Sequence, residues 1–239
     1  MKIRIITLFK DNLPLLKQYI RSLCACTHYP YELILVDNGS NAETKKELLK
    51  LTPSSKNIKI ISLNFPVSFS IGNNLAMKLF SDSCDLTILI NNDILFTYGW
   101  LTEIVEYFEA DYNRRGHLVA PLINTNGILY KGGYYDKDKE SVRWVKQEES
   151  IDPNYLQFCC VAITKEIFLT VGYLPEEYKF YFEDVMYCHR CLLNKIKLVT
   201  LDNVIVKHLH AQSSEPEKKK QMMERSKKIF FNAIKLKSK

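Results

Sequence analysis

No apolar run in this 239-residue chain approaches the ~20 residues that a membrane-spanning helix needs, so no segment is expected to cross a bilayer. A cleavable leader is not expected either: Met1-Lys2-Ile3-Arg4 runs straight into a strand-like stretch with no small-residue cleavage site. The cysteines (Cys24, Cys26, Cys84, Cys159, Cys160, Cys188 and Cys191) are odd in number, which argues against a disulfide scaffold and for free thiols in a reducing cytosol. Cys188-x-x-Cys191 has zinc or redox spacing, but no second pair faces it, and it reads as packing on a helix. There is no internal repeat and no low-complexity tract beyond a Lys-rich end. The body also lacks an excess of either charge. The net charge of +6 resides in residues 217–239, where nine basic and two acidic residues give +7, while the remainder holds 24 basic and 25 acidic side chains, or −1. Without an aromatic-rich basic groove, nucleic-acid binding is not expected.

What is present is a regular alternation. Apolar strand-like runs at 3–8, 31–36, 58–63, 86–90 and 118–123 are separated by helical spacing at 13–24, 41–51, 69–80 and 99–109. Such alternation predicts βαβ units, hence an α/β fold with a mainly parallel sheet. The rhythm changes at 127–145, where Gly132-Gly133-Tyr134-Tyr135 and the charged turn 136–139 predict a hairpin or irregular insertion. A strand at 158–164, a helix at 180–193 and short strands at 197–201 and 204–206 follow. From Glu215 the pattern is a helix with Met222, Ser226, Ile229, Ala233 and Leu236 on one face. The predicted organisation is a body of residues 1–214, in halves 1–123 and 124–214, followed by a basic amphipathic helix, 215–239.

Polar clusters end or interrupt the apolar runs. Leu86-Thr87-Ile88-Leu89-Ile90 stops at Asn91-Asn92-Asp93, at the carboxyl end of a buried strand, where open α/β sheets bind ligands. A carboxylate there, in a site using only one or two protein ligands, suits Mg²⁺ or Mn²⁺, which keep waters and substrate phosphates. Asp37-Asn38-Gly39-Ser40 can be a turn and helix cap, or can place a carboxylate to accept an N–H from a pyrimidine imide. Ser70-Ile71-Gly72-Asn73-Asn74 can cap a helix or bring donors to a sugar or phosphate. Phe180-Tyr181-Phe182-Glu183-Asp184 sets two carboxylates behind three aromatics, the setting of a general base with a raised pKa. In His208-Leu209-His210 an extended backbone points both rings the same way, and a neutral imidazole is a metal ligand.

Taken in order, these stretches resemble the family 2 glycosyltransferases of GT-A fold, with the nearest likeness to the rhamnosyltransferase-like branch. The matching text is Ile34-Leu35-Val36-Asp37-Asn38-Gly39-Ser40, Gly72-Asn73-Asn74, Leu89-Ile90-Asn91-Asn92-Asp93, Tyr181-Phe182-Glu183-Asp184-Val185 with Arg190, and His208-x-x-Ala211-x-Ser213. The resemblance implies a Rossmann-like sheet flanked by helices, a small β insertion and a C-terminal helix. It implies that Thr7 and Asp37 contact the nucleotide base and that Asn38, Asn74, Asn91 and Asn92 line the nucleotide-sugar pocket. Asp93 and His208 would hold Mn²⁺ or Mg²⁺ on the diphosphate. Asp184, with Glu183 beside it, would be the base of an inverting displacement. Asn91 stands where the family's Asp-x-Asp motif has its first acid, and Met186 where that branch often has another.

The implied activity is metal-dependent hexosyl transfer from a UDP- or dTDP-linked donor to a hydroxyl of a glycan or lipid-linked saccharide, in cell-surface polysaccharide synthesis. Trp144, Tyr134 and Tyr135 are candidates for stacking on acceptor sugars. The basic tail can lie on an anionic membrane surface at the inner face of a cytoplasmic enzyme, or dock its apolar stripe on the body. A sugar nucleotidyltransferase is disfavoured because Thr7-Leu8-Phe9-Lys10-Asp11-Asn12 contains no glycine. A non-catalytic carbohydrate-binding module is disfavoured by the retained Asp184.

Overall fold

The computed structural model describes residues 1–51, 57–79, 84–210 and 216–236. Ala211 and Ser213 of the motif after His208, the ends of the predicted helix at Phe80 and Glu215, the 214/215 boundary, and Lys237 and Lys239 lie outside the described residues.

The chain forms an α/β fold around one ten-stranded sheet. Its first half is β1 (Ile3–Phe9), α1 (Leu13–Cys26), β2 (Tyr31–Asp37), α2 (Ala42–Leu51), β3 (Ile58–Ser62), α3 (Phe69–Leu79) and β4 (Leu86–Ile90). The second half is β5 (Ile94–Phe96), α4 (Trp100–Glu109), β6 (His117–Thr125), β7 (Ile128–Asp136), β8 (Ser141–Lys146), β9 (Cys160–Thr164), α5 (Lys165–Val171), α6 (Glu183–Leu193), β10 (Lys197–His208) and α7 (Pro216–Leu236). The order is β3-β2-β1-β4-β9-β6-β10-β5, with β7 and β8 extending from β6 as the expected hairpin insertion. The strands β3, β2, β1 and β4 are parallel, β9 is antiparallel to both β4 and β6, and β10 is parallel to β6.

Two hydrophobic layers follow from strand alternation. In β1, Ile3, Ile5 and Phe9 pack on α1 and α4 through Tyr19, Leu23 and Trp100, while Ile6 faces a second cluster with Met77, Tyr187 and Phe230. Burial of both faces accounts for the continuous apolar runs of β1 and β4.

Beyond other shifts of one or two residues at element ends, the structure differs from expectation in these places. A short strand, β5, directly follows Asn91-Asn92-Asp93, although three residues carry little periodic signal. The two strands read at 197–201 and 204–206 are one strand with a bulge between Leu201 and Ile205. The strand read from 158 begins at Cys160. The helix read from 180 begins at Glu183, because Tyr181 (φ 63°) and Phe182 (φ 71°) are left-handed and cannot continue a right-handed helix.

The β7–β8 hairpin is seated on the chain before β9. Gly133 exchanges backbone hydrogen bonds with Tyr155, and a Cβ at Gly133 would lie 2.0 Å from Cζ of the Tyr155 ring. Gly133→Ala must therefore displace a buried aromatic ring. It should destabilise the chain by about 1–3 kcal/mol, read as a lower melting temperature.

Candidate active site

The carboxyl end of β4 opens onto a cavity of about 830 Å³. Three pieces of chain meet there. Asn91 donates its N–H to the Cys159 carbonyl at 2.9 Å, which ties the polar motif to the start of β9. Strand β5 then pairs antiparallel with the end of β10, placing His208 opposite Ile94, and Leu209 donates to the Asp93 carbonyl at 2.9 Å. This pairing brings His208 Nε2 to 3.3 Å from Asp93 Oδ1, with only about an eighth of each side chain exposed (13% and 12%). The third piece is the start of α6, which presents Glu183 and Asp184 to the same cavity.

The two acids differ in their surroundings. Burial pushes both carboxyl groups above the ordinary carboxylate range. Asp184 accepts from the Val185 N–H at 2.8 Å and also from the backbone of Phe158, bonds that favour its anion. Glu183 has the charge of Asp184 beside it, and its Oε2 has no hydrogen-bond partner among the described residues. The hydrogen bonds to Asp184 favour ionisation there, and their lack at Glu183 Oε2 disfavours it.

Two aromatic features frame the cavity. His208 and His210 lie with ring centroids 3.9 Å apart, and Trp144 of β8 stacks on His210 at 5.6 Å. Phe180 and Tyr181 form another wall, closed by Met223 of α7. The Ser226 hydroxyl donates to the Phe180 carbonyl at 2.7 Å, and Phe230 and Phe231 pack against Phe182. The C-terminal helix is thus docked on the body. Its buried face is Ser226, Phe230, Phe231 and Ile234, rotated from the stripe expected from the sequence; Met222, Ile229 and Ala233 are only half-buried. Cys188 and Cys191 are likewise buried on α6, as packing residues.

Of the residues singled out from the sequence, Asn91, Asp93, Trp144, Glu183, Asp184 and His208 line the cavity. The others do not. Thr7 points to the α1 face of the sheet, and its hydroxyl is spent on Tyr19 at 2.6 Å. Asn38 clamps both polar groups of Val67, and Asn74 holds the Leu174 backbone and Glu176. Neither amide is free for a sugar in this arrangement. Asn92, the middle residue of the motif, is half-buried. Tyr134 sits opposite Arg143 in the hairpin. Tyr135 packs edge-on against Phe230 and bonds His189 at 2.9 Å, so it supports α7 and α6 rather than stacking on a ligand. Asp37 is fully buried. Its Oδ1 accepts from Ser40 N–H at 2.9 Å, and its Oδ2 has no partner among the described residues. The turn it opens needs glycine, since Gly39 has φ +72° and a Cβ there would meet the Phe65 carbonyl carbon at 2.8 Å.

The sequence reading missed His210 as a partner of Trp144, and it missed Gln157. Gln157 lines the cavity at 7% exposure, and neither amide atom has a hydrogen-bond partner among the described residues. A buried, unsatisfied amide costs about 1–3 kcal/mol. One signal was available: a lone amide between Leu156 and Phe158 in an otherwise apolar approach to a strand.

The cavity's charge is also informative. Among its described lining residues Arg143 is the only Lys or Arg, and it is already paired with Glu149 at 2.8 Å. Among the described residues no three His, Cys, Asp or Glu side chains are arranged to hold a metal ion.

Comparison with known proteins bears on the fold and the family. The chain is 31% identical over 134 residues to the O-antigen biosynthesis protein RfbC of Myxococcus xanthus, a match covering 55% of this chain and 10% of that protein. Its fold is similar to GalNAc-T7 solved with UDP, GalNAc and Mn²⁺ (TM-score 0.71, 15% identity, 90% of this chain and 45% of that one). It is also similar to residues 1–349 of TarS from S. aureus in complex with UDP-GlcNAc (TM-score 0.65, 17% identity, 95% and 65%). A third similar structure is the mannosyltransferase PcManGT from Pyrobaculum calidifontis with GDP-Man and Mn²⁺ (TM-score 0.66, 12% identity, 89% and 58%). The fold is accordingly that of the GT-A glycosyltransferases. The sequence model for glycosyl transferase family 2 matches residues 4–168, more than half of the chain, and the protein belongs to that family.

Proposed function

We propose that this chain is an inverting, metal-dependent glycosyltransferase that moves a sugar from a nucleoside diphosphate donor to a hydroxyl of a glycan or lipid-linked glycan. The observation that carries this reading is one cavity holding two separate acidic stations, Asp93 with His208 and Glu183 with Asp184. The first station fits a divalent cation. A carboxylate and an imidazole 3.3 Å apart leave most positions of an octahedral Mg²⁺ or Mn²⁺ to waters and phosphate oxygens. The cation would supply the positive charge that a departing diphosphate needs and that the paired Arg143 does not.

At the second station Asp184 accepts the proton of the acceptor hydroxyl as that oxygen bonds the anomeric carbon. The bond from that carbon to the diphosphate oxygen breaks on the opposite face, which inverts the configuration. Glu183, holding its proton, lowers the negative charge beside the base. Asp37 Oδ2 is an acceptor lacking a donor, which suits the imide N–H of uracil or thymine. Trp144, 39% exposed at the rim and stacked on His210, offers an aromatic face to an acceptor sugar. Structural relatives holding UDP, UDP-GlcNAc or GDP-Man, two of them with Mn²⁺, support a nucleotide-sugar donor and a metal. The O-antigen relative supports a polysaccharide product.

No helix among the described residues is long and apolar enough to cross a membrane. With the apolar face of α7 on the body, any contact with an anionic membrane rests on exposed basic residues such as Lys220, Arg225 and Lys228. The test of the activity is a screen of nucleotide sugars for release of free nucleotide. Release is expected with Mn²⁺ or Mg²⁺ and not after chelation; turnover indifferent to chelation would remove the metal from the proposal.

A further inference from the structure

Gln157 is more than nine-tenths buried at the cavity, yet both polar atoms of its amide lack a partner among the described residues. The two residues that follow it join the two stations. Phe158 bonds Asp184 through its backbone, and Cys159 accepts from Asn91. Phe158 and Cys159 therefore bridge the start of α6 and the motif ending in Asp93, with Gln157 next to them in the chain and on the same cavity. Glu183 Oε2, in the same cavity, also lacks a partner. Buried polar groups are almost always hydrogen-bonded in folded proteins, so an amide left empty at a cavity marks something the cavity binds.

The chemistry of that ligand follows from the group. A primary amide offers one acceptor and two donors side by side, the complement of a pair of adjacent hydroxyls. It carries no charge, and the surrounding carboxylates repel a second anion. We propose that Gln157 is a specificity-determining residue that hydrogen-bonds hydroxyl groups of the sugar being transferred. This rests on the glycosyltransferase reading above. A sugar attached to a diphosphate at Asp93, with its anomeric carbon within reach of Asp184, must pass the segment that joins the two.

Gln157→Met, with Gln157→Leu as a second variant, tests the assignment. Both remove the amide and keep an apolar side chain of similar reach. The readouts are the melting temperature and two affinities with Mn²⁺ present: one for free UDP, and one for the UDP-sugar turned over in the screen, or GDP and GDP-mannose if that is the donor used. Expected are an unchanged or raised melting temperature, UDP affinity within twofold of the parent, and nucleotide-sugar affinity at least tenfold weaker. A residue that only supports the fold would instead lower the melting temperature. Undiminished nucleotide-sugar affinity, an equal loss for the free nucleotide, or a lowered melting temperature in both variants overturns the proposal. If the parent chain binds no nucleotide sugar at all, the transferase reading falls and this proposal falls with it. Parental nucleotide-sugar binding that survives the substitution removes only Gln157.

Discussion

Replacing Asp184 by Asn is expected to slow sugar transfer by about 10²- to 10⁴-fold, the usual contribution of a positioned general base, with donor affinity within about twofold of the parent. Asparagine keeps the size of the side chain and an oxygen to accept from the Val185 N–H, so the first turn of α6 should survive. What disappears is the ability to take a proton. The expected pH profile has a definite sign. The base works only when ionised, and burial raises its pKa, so activity of the parent falls on the acid side along a limb above the ~4 of an ordinary carboxyl. That limb should be missing from the residual activity of the variant. Donor binding measured alongside separates loss of chemistry from loss of fold, and parental turnover by Asp184→Asn would end its assignment as the base.

The second large effect belongs to the other station. Asp93→Ala should weaken nucleotide-sugar binding in Mn²⁺ by at least about 10-fold, since loss even of groups supporting a metal ligand costs that much. The cavity is short of positive charge: Arg143 is taken up by Glu149, and the acidic side chains of Asp93, Glu183 and Asp184 face the same space. A diphosphate entering without a cation meets repulsion. Chelation and Asp93→Ala should therefore not add, because each removes the same interaction. Titration calorimetry of parent and variant, each with Mn²⁺ and with chelator, reads this directly. Two independent losses would show that Asp93 acts by some route other than the metal.

Much of the architecture was legible in the sequence because the residues that carry it are local. The run Leu86–Ile90 ending in Asn91-Asn92-Asp93 reads as a buried strand meeting a ligand site; the strand is buried and its polar end lies on the cavity. The change of rhythm at 127–145 reads as an insertion, and Tyr130 to Val145 pair as a hairpin. Less legible were features whose cause lies far away in the chain. Strand β5 is too short to show a period and exists because β10, more than a hundred residues later, pairs with it. The resemblance implied roles for Thr7 and Asn74 in the nucleotide-sugar pocket, but Tyr19 and Leu174 take up their polar groups.

From sequence alone came the chemical types and their order: a carboxylate after β2, an amide-amide-carboxylate motif after β4, paired acids behind aromatics, and two histidines near the end. Those follow from composition and period, which each short segment carries within itself. The tertiary structure decided which of these groups share a space. It put His208 beside Asp93 through an antiparallel pairing, turned the apolar face of α7 onto the body, and left Gln157 at the cavity with an unpaired amide. Such neighbourhoods arise from long-range packing and backbone register, and no window of sequence contains them.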